Sequence, residues 1–236
     1  MKTEYLLFDF IVFCGPLLGG TLKRYKFLKQ WKFFVPAILI PAAPYLIWDS
    51  LVTGKHWWFN LNYTLPFRIA RLPIEECLFF LSVPLACLFV WEVVNVHFLK
   101  SVKKLLGFSY AVLFLLIPAG MALFMTGRQY TGMACVALGG TGILDRIMGQ
   151  DHFLQTRFYY FLLWVILFIF VFNGFLTWRP VVLYDPSFQL DWRIGTIPIE
   201  DFGYGLSLMI YNVIIYEYFK FRKKYSSKLL SGGAHV

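Results

Sequence analysis

The sequence predicts an all-α, multi-pass membrane helix bundle of about seven transmembrane helices with an internal parallel repeat. Three observations carry this. The 236 residues are 59% hydrophobic and 20% aromatic, only 15% are charged, and the mean hydropathy is +0.63. A soluble domain would carry about 25% charge. Seven apolar runs approach the ~20 residues that a span requires. One motif also occurs twice: Leu72–Phe80 reads L-P-I-E-E-C-L-F-F, and Ile197–Tyr204 reads I-P-I-E-D-F-G-Y.

The spans are expected, in order, at Tyr5–Thr21, Phe33–Leu51, Pro73–Leu99, Leu105–Thr126, Tyr130–Leu144, Phe158–Trp178 and Pro198–Phe219. The first follows a single Lys2 with no clear cleavage site and reads as a retained helix. The second contains Pro36, Pro41 and Pro44, which helices in lipid tolerate as kinks. The third and seventh open on a Pro and two acids. Pro suits a helix's first turn, and acids there face the positive end of the helix dipole. The fifth is short and Gly-rich, and its Gly139-Gly140-Thr141-Gly142 points to close helix packing. The chain then reads as one membrane domain, 1–236: a first repeat at 1–100, a connecting helix at 101–128, a second repeat at 129–222 and a basic cytoplasmic tail at 223–236.

The duplication extends beyond the acidic motif. Phe59-Asn-Leu-Asn is matched with Phe188-Gln-Leu-Asp, Trp48-Asp49 with Tyr184-Asp185, and Trp91-Glu92 with Tyr216-Glu217, while the loop Trp178–Ile197 reads as compressed. Duplicated folds form their sites at the repeat interface. Fifteen of the 22 Lys and Arg residues fall on one side of the spans, in the loops at 22–32, 100–104 and 145–157 and in the tail. This bias places the N-terminus outside, the C-terminus in the cytoplasm and both acidic helix starts on the outer side of the cell membrane. Basic residues clustered between apolar runs argue against nucleic-acid binding and for the lipid bilayer as partner.

Acids in or bordering spans are costly and are functional candidates. Here they are Asp9, Asp49, Glu75, Glu76, Glu92, Asp185, Glu200, Asp201 and Glu217. Glu92 and Glu217 lie 16 residues beyond Glu76 and Asp201. At 1.5 Å per residue that is about 24 Å, so a structural role at the other membrane face is expected for them. Carboxylates gathered in a low-dielectric site do not ionise together; a neutral acid beside an ionised base is equipment for proton transfer. The candidate catalytic residues are therefore Glu75, Glu76, Glu200, Asp201 and Asp49. Trp48, Trp57, Phe59, Asn60, Phe79, Phe80, Asp185, Phe202 and Tyr204 are candidates for binding substrate, since ring faces attract a carbocation as well as forming an interfacial belt. The four cysteines show no metal or disulfide spacing, His56, His97, His152 and His235 show no metal spacing, and no dinucleotide-binding or diphosphate-binding motif occurs. No cofactor and no metal are expected.

These residues resemble the membrane-integral lycopene β-cyclase family of carotenoid synthesis, in the form that fuses two short homologous subunits. The resemblance is carried by Asp9 with Gly15-Pro16, Trp48-Asp49, Phe59-Asn60, Pro73–Phe80, Trp91-Glu92, Ile197–Tyr204 and Tyr216-Glu217, and it covers nearly the whole chain. It implies an intramolecular lyase or isomerase. The terminal double bond of a lycopene ψ-end is protonated, the cation closes to a six-membered ring, and loss of a ring proton gives a β-ionone end without a cofactor. Glu75 or Glu200 is then the expected proton donor, with Glu76, Asp201 or Asp49 orienting it or taking the ring proton. Lycopene is the implied substrate, and other carotenoid enzymes are implied partners. One-end against two-end cyclisation, and β against ε rings, stay open. A membrane cyclase acting on another polyene, or a small-molecule transporter, are the alternatives.

Overall fold

The computed structural model describes residues 3–98 and 102–232, without the side chains of 104, 105 and 223–232. Lys2, Leu99, Lys100, His235 and the tail from 233 onward, all part of the expectations above, lie outside the described residues. The seven expected helices are present: α1 (Glu4–Gly20), α2 (Trp31–Val52), α3 (Ile74–His97), α4 (Phe108–Met125), α5 (Gln129–Ile147), α6 (Thr156–Trp178) and α7 (Ile199–Gly232). Four segments, Phe27–Val52, Ile74–His97, Phe108–Met125 and Thr156–Trp178, are long and apolar enough to cross a membrane by length and composition. α1 has 17 residues, and α5 runs longer than expected because its polar ends, Gln129 and Asp145-Arg146, are helical too.

The loops between α2 and α3 and between α6 and α7 each contain three short strands that hydropathy did not indicate: β1 (Trp57–Phe59), β2 (Arg68–Ile69) and β3 (Leu72–Pro73) in one, and β4 (Val182–Tyr184), β5 (Arg193–Ile194) and β6 (Ile197–Pro198) in the other. The order helix, helix, three strands, helix thus occurs twice at an offset of 125 residues, with α4 as connector. β1 and β4 pair antiparallel with Trp58 opposite Leu183, which are equivalent residues. A two-fold relation between the repeats therefore passes through that pair, and both loops lie at one end of the bundle. The fixed offset corrects two sequence matches. Tyr184 is the counterpart of Phe59, not of Trp48, and Asp49 has Gly174 as its counterpart. The loops between α2 and α3 and between α6 and α7 differ by one residue, 53–73 against 179–198, so the second is not compressed. Pro73 caps α3 from an extended conformation (φ −64°, ψ 152°), closing the β2–β3 hairpin just before the helix rather than within its first turn.

α2, α3, α6 and α7 form the centre, with α3 against both α6 and α7 and α2 against both α3 and α7. α1 flanks α3 as α5 flanks α7, and α4 packs on α5. Glycines permit that last contact: a Cβ on Gly132 would lie 2.6 Å from the Gly120 carbonyl oxygen, and one on Gly139 2.6 Å from that of Leu113. Close helix approach of this kind replaces the hydrophobic drive that lipid does not supply. Far from the loops, Trp91, Phe158, Phe161, Ile214 and Tyr216 are sealed in the core.

Candidate functional site

The first turns of α3 and α7 meet beneath the β1–β4 ribbon, and there the paired acids divide by helix geometry. Adjacent residues are about 100° apart around a helix, so the two acids of a pair face different ways. Glu75 turns to its own loop and accepts the Leu65 N–H at 2.7 Å. Glu200 does the same for Leu190 N–H at 2.7 Å and also accepts the Thr131 hydroxyl at 2.6 Å. Both pin a loop residue ten positions upstream, and neither lines the cavity. The second acids, Glu76 and Asp201, face the space between the repeats.

That space is a cavity of about 830 Å³, open mouth included. Asp49, Glu76 and Asp201 lie at its loop end, close enough for their charges to interact. Phe79 and Phe80 follow Glu76 by about one turn and share its face. Trp57, Phe59, Tyr130, Tyr184 and Tyr204 complete the polar end, and Phe168, Ile169 and Phe172 of α6 with Val83, Leu208 and Met209 make an apolar extension towards mid-membrane.

The three carboxylates differ in what holds them. Asp201 is the most fully held: Tyr130 donates to Oδ1 at 2.5 Å, and Tyr184 and Asn173 donate to Oδ2 at 2.9 and 3.1 Å. Glu76 receives only the Tyr5 hydroxyl, on Oε2 at 2.8 Å. Asp49 receives the Tyr204 hydroxyl on Oδ1 at 2.7 Å. Glu76 Oε1 and Asp49 Oδ2 have no hydrogen-bond partner among the described residues, and both side chains line the cavity. In the loop, burial and the Asp201 charge push the Tyr184 phenol well above its ordinary range, so it stays a donor. Among the described residues no group of three or more His, Cys, Asp or Glu side chains is arranged to hold a metal ion.

Of the expected binding residues, Trp57, Phe59, Phe79, Phe80 and Tyr204 line the cavity. Trp48, Asn60, Asp185 and Phe202 do not. Trp48 packs on His56 and Phe124, Asn60 accepts the Asn62 N–H in a loop turn, and Phe202 packs on Phe170. Asp185 caps a turn, and the hydrogen bond from Ser187 holds its carboxyl below the usual range. Tyr5, Tyr130, Tyr184 and Asn173 were missed. Tyr5 and Tyr130 occupy the same register of the two repeats and donate to equivalent acids, so the 125-residue offset was the signal for them. At the far end, Glu92 and Glu217 are held by Lys220 Nζ at 2.6 and 3.4 Å, Gln30 donates to Glu92, and the Trp91 indole N–H donates to Glu217. These bonds tie α3, α7 and Gln30 together at the end of the bundle away from the strands.

The family model of lycopene cyclases matches the chain twice, over residues 2–94 and 127–219, the same 125-residue offset. No curated protein and no solved structure matches.

Proposed function

We propose, for a chain that belongs to the lycopene cyclase family, that it closes the ψ-ends of lycopene to β-ionone rings by cofactor-independent proton transfer. One observation carries the reading: Glu76 and Asp49 line an aromatic, largely apolar cavity, and Glu76 Oε1 and Asp49 Oδ2 carry no competing hydrogen bond among the described residues. Glu76 is the proton donor, a revision of the expectation for Glu75 or Glu200, because an acid pinned to a loop N–H outside the cavity cannot meet an alkene. Its proton goes to the terminal double bond, and the resulting cation is attacked by the next double bond to close the ring.

Asp201, held by three donors, suits the carboxylate form and stabilises the cation together with the faces of Phe79, Phe80 and Tyr204. Asp49 then takes the ring proton, and the double bond re-forms. No atom is gained or lost, so the reaction is an isomerisation. The apolar extension holds the polyene and excludes water that would quench the cation. Both loops are read as lying on the outer side of the cell membrane, where the charge bias puts them.

The test is pigment analysis of lycopene-accumulating bacteria expressing the chain. Replacement of lycopene by β-carotene is the expected result, and γ-carotene alone would mean one-end cyclisation. Unchanged lycopene, with the protein folded in the membrane, would move the assignment to another polyene. ε-rings would displace Asp49 as the base.

A further inference from the structure

Asp9 of α1 is an acid that the proposed chemistry does not use. It is 2% exposed, its Oδ2 has no partner, and its Oδ1 has only the Ser82 hydroxyl at 3.5 Å. It sits in a second cavity, a groove between α1 and α3 that runs from Thr3 at the loop end past Leu7 and Phe10 to Phe13. The groove lies on the other side of α3 from the substrate cavity: Leu78, Leu81 and Ser82 face it, whereas Phe79, Phe80 and Val83 face the substrate cavity. Tyr5 lies one helical turn before Asp9, fully buried, with its hydroxyl on Glu76 Oε2 at 2.8 Å. Packing does not require the acid, since the second repeat carries Ala134 at the equivalent position.

A cyclisation leaves Glu76 without a proton and Asp49 with one. Both must be reset, and an apolar product filling the cavity separates them from water. We propose that Asp9 returns the proton to Glu76 through the Tyr5 hydroxyl, drawing it from the outer interface along the α1–α3 groove; this rests on Glu76 being the donor. Asp9 and Tyr5 share no hydrogen bond in this arrangement, so the transfer takes a turn of the Asp9 carboxyl or an intervening water: Asp9 gives up one proton as Tyr5 gives one to Glu76, and Asp9 regains one from water at the Thr3 end. Asp49 releases the ring proton at the cavity mouth when product leaves, so protons balance over the cycle. Asp9 touches no substrate and is a positioning and relay residue. Its presence in one repeat alone makes the first repeat the acid side of the site.

The experiment compares the first turnover with steady-state turnover of lycopene in proteoliposomes. In Asp9→Asn the first turnover keeps its wild-type rate, because Glu76 starts protonated, and steady-state turnover falls about tenfold or more. Asp9→Glu restores it. Asp9→Ala, the residue the second repeat uses, serves as a second variant where Asp9→Asn fails to fold. Steady-state turnover equal to wild type in Asp9→Asn overturns the relay. So does a first turnover slowed in the same proportion, which is the mark of a structural role. Wild-type turnover in the same preparation is the control: its absence counts against the proposed function, and with it the relay.

Discussion

The two acidic helix starts share the hairpin before them and the role of the first acid, yet beyond one shared tyrosine they differ in what surrounds the second. Glu75 and Glu200 each fix a loop by accepting an N–H ten residues upstream. Glu76 and Asp201 each accept a tyrosine from the first helix of their repeat. There the equivalence ends. Asp201 gains Tyr184 and Asn173, whose counterparts Phe59 and Trp48 do not bond to Glu76. Asp49 has Gly174 opposite it, and Tyr204 reaches Asp49 where its counterpart Phe79 has no hydroxyl. Duplication supplied a symmetric frame, and departures from symmetry give the three carboxylates of one cavity different surroundings, which the proposed roles of donor, base and stabilising carboxylate rest on.

The sharpest way to break this comparison is at the second acids. Glu76→Gln is expected to lower cyclisation by about 10²–10⁴-fold, the range for a lost general acid, with the protein still folded in the membrane. Asp49→Asn is expected to cost on the order of a hundredfold by loss of the base. Pigment yield per folded protein checks both, and an active Glu76→Gln would end the assignment of acid roles.

At the first acids the expected effect is on stability instead. Glu75→Ala or Glu200→Ala leaves a loop N–H unpaired, costing about 1–3 kcal/mol in thermal unfolding in detergent. Glu75→Gln and Glu200→Gln keep the acceptor and most of the turnover. Loss of turnover in both would return the donor role to the first acids.

A similar cost tests the connecting helix. Gly132→Leu overpacks the α4–α5 contact, for about 1–3 kcal/mol, whereas Leu7, its exposed equivalent on α1, tolerates change to another large apolar residue. Tyr45→Phe, which removes the bond to Ser207 at 2.6 Å between α2 and α7, should have the smallest effect, about 0.5–1.5 kcal/mol.

The sequence by itself determined the helical bundle, the position of its seven helices, the duplication and the pair of acidic starts. Hydropathy registers any run of apolar residues long enough for lipid, and two adjacent acids after a Pro stand out against it. Five of the nine expected binding residues, and three of the five expected catalytic acids, line the cavity because they sit on the inner faces of helices whose starts were recognised. Only the tertiary structure decided which acid of each pair faces the cavity. Glu75 and Glu76 are chemically alike, and the side each presents depends on the phase of α3, which the β2–β3 hairpin sets. It also decided that Tyr5 reaches Glu76 across 71 positions and Tyr204 reaches Asp49 across 155. Contacts between distant segments leave no periodic mark in the chain. They exist because the β1–β4 ribbon brings the two repeats together about one axis.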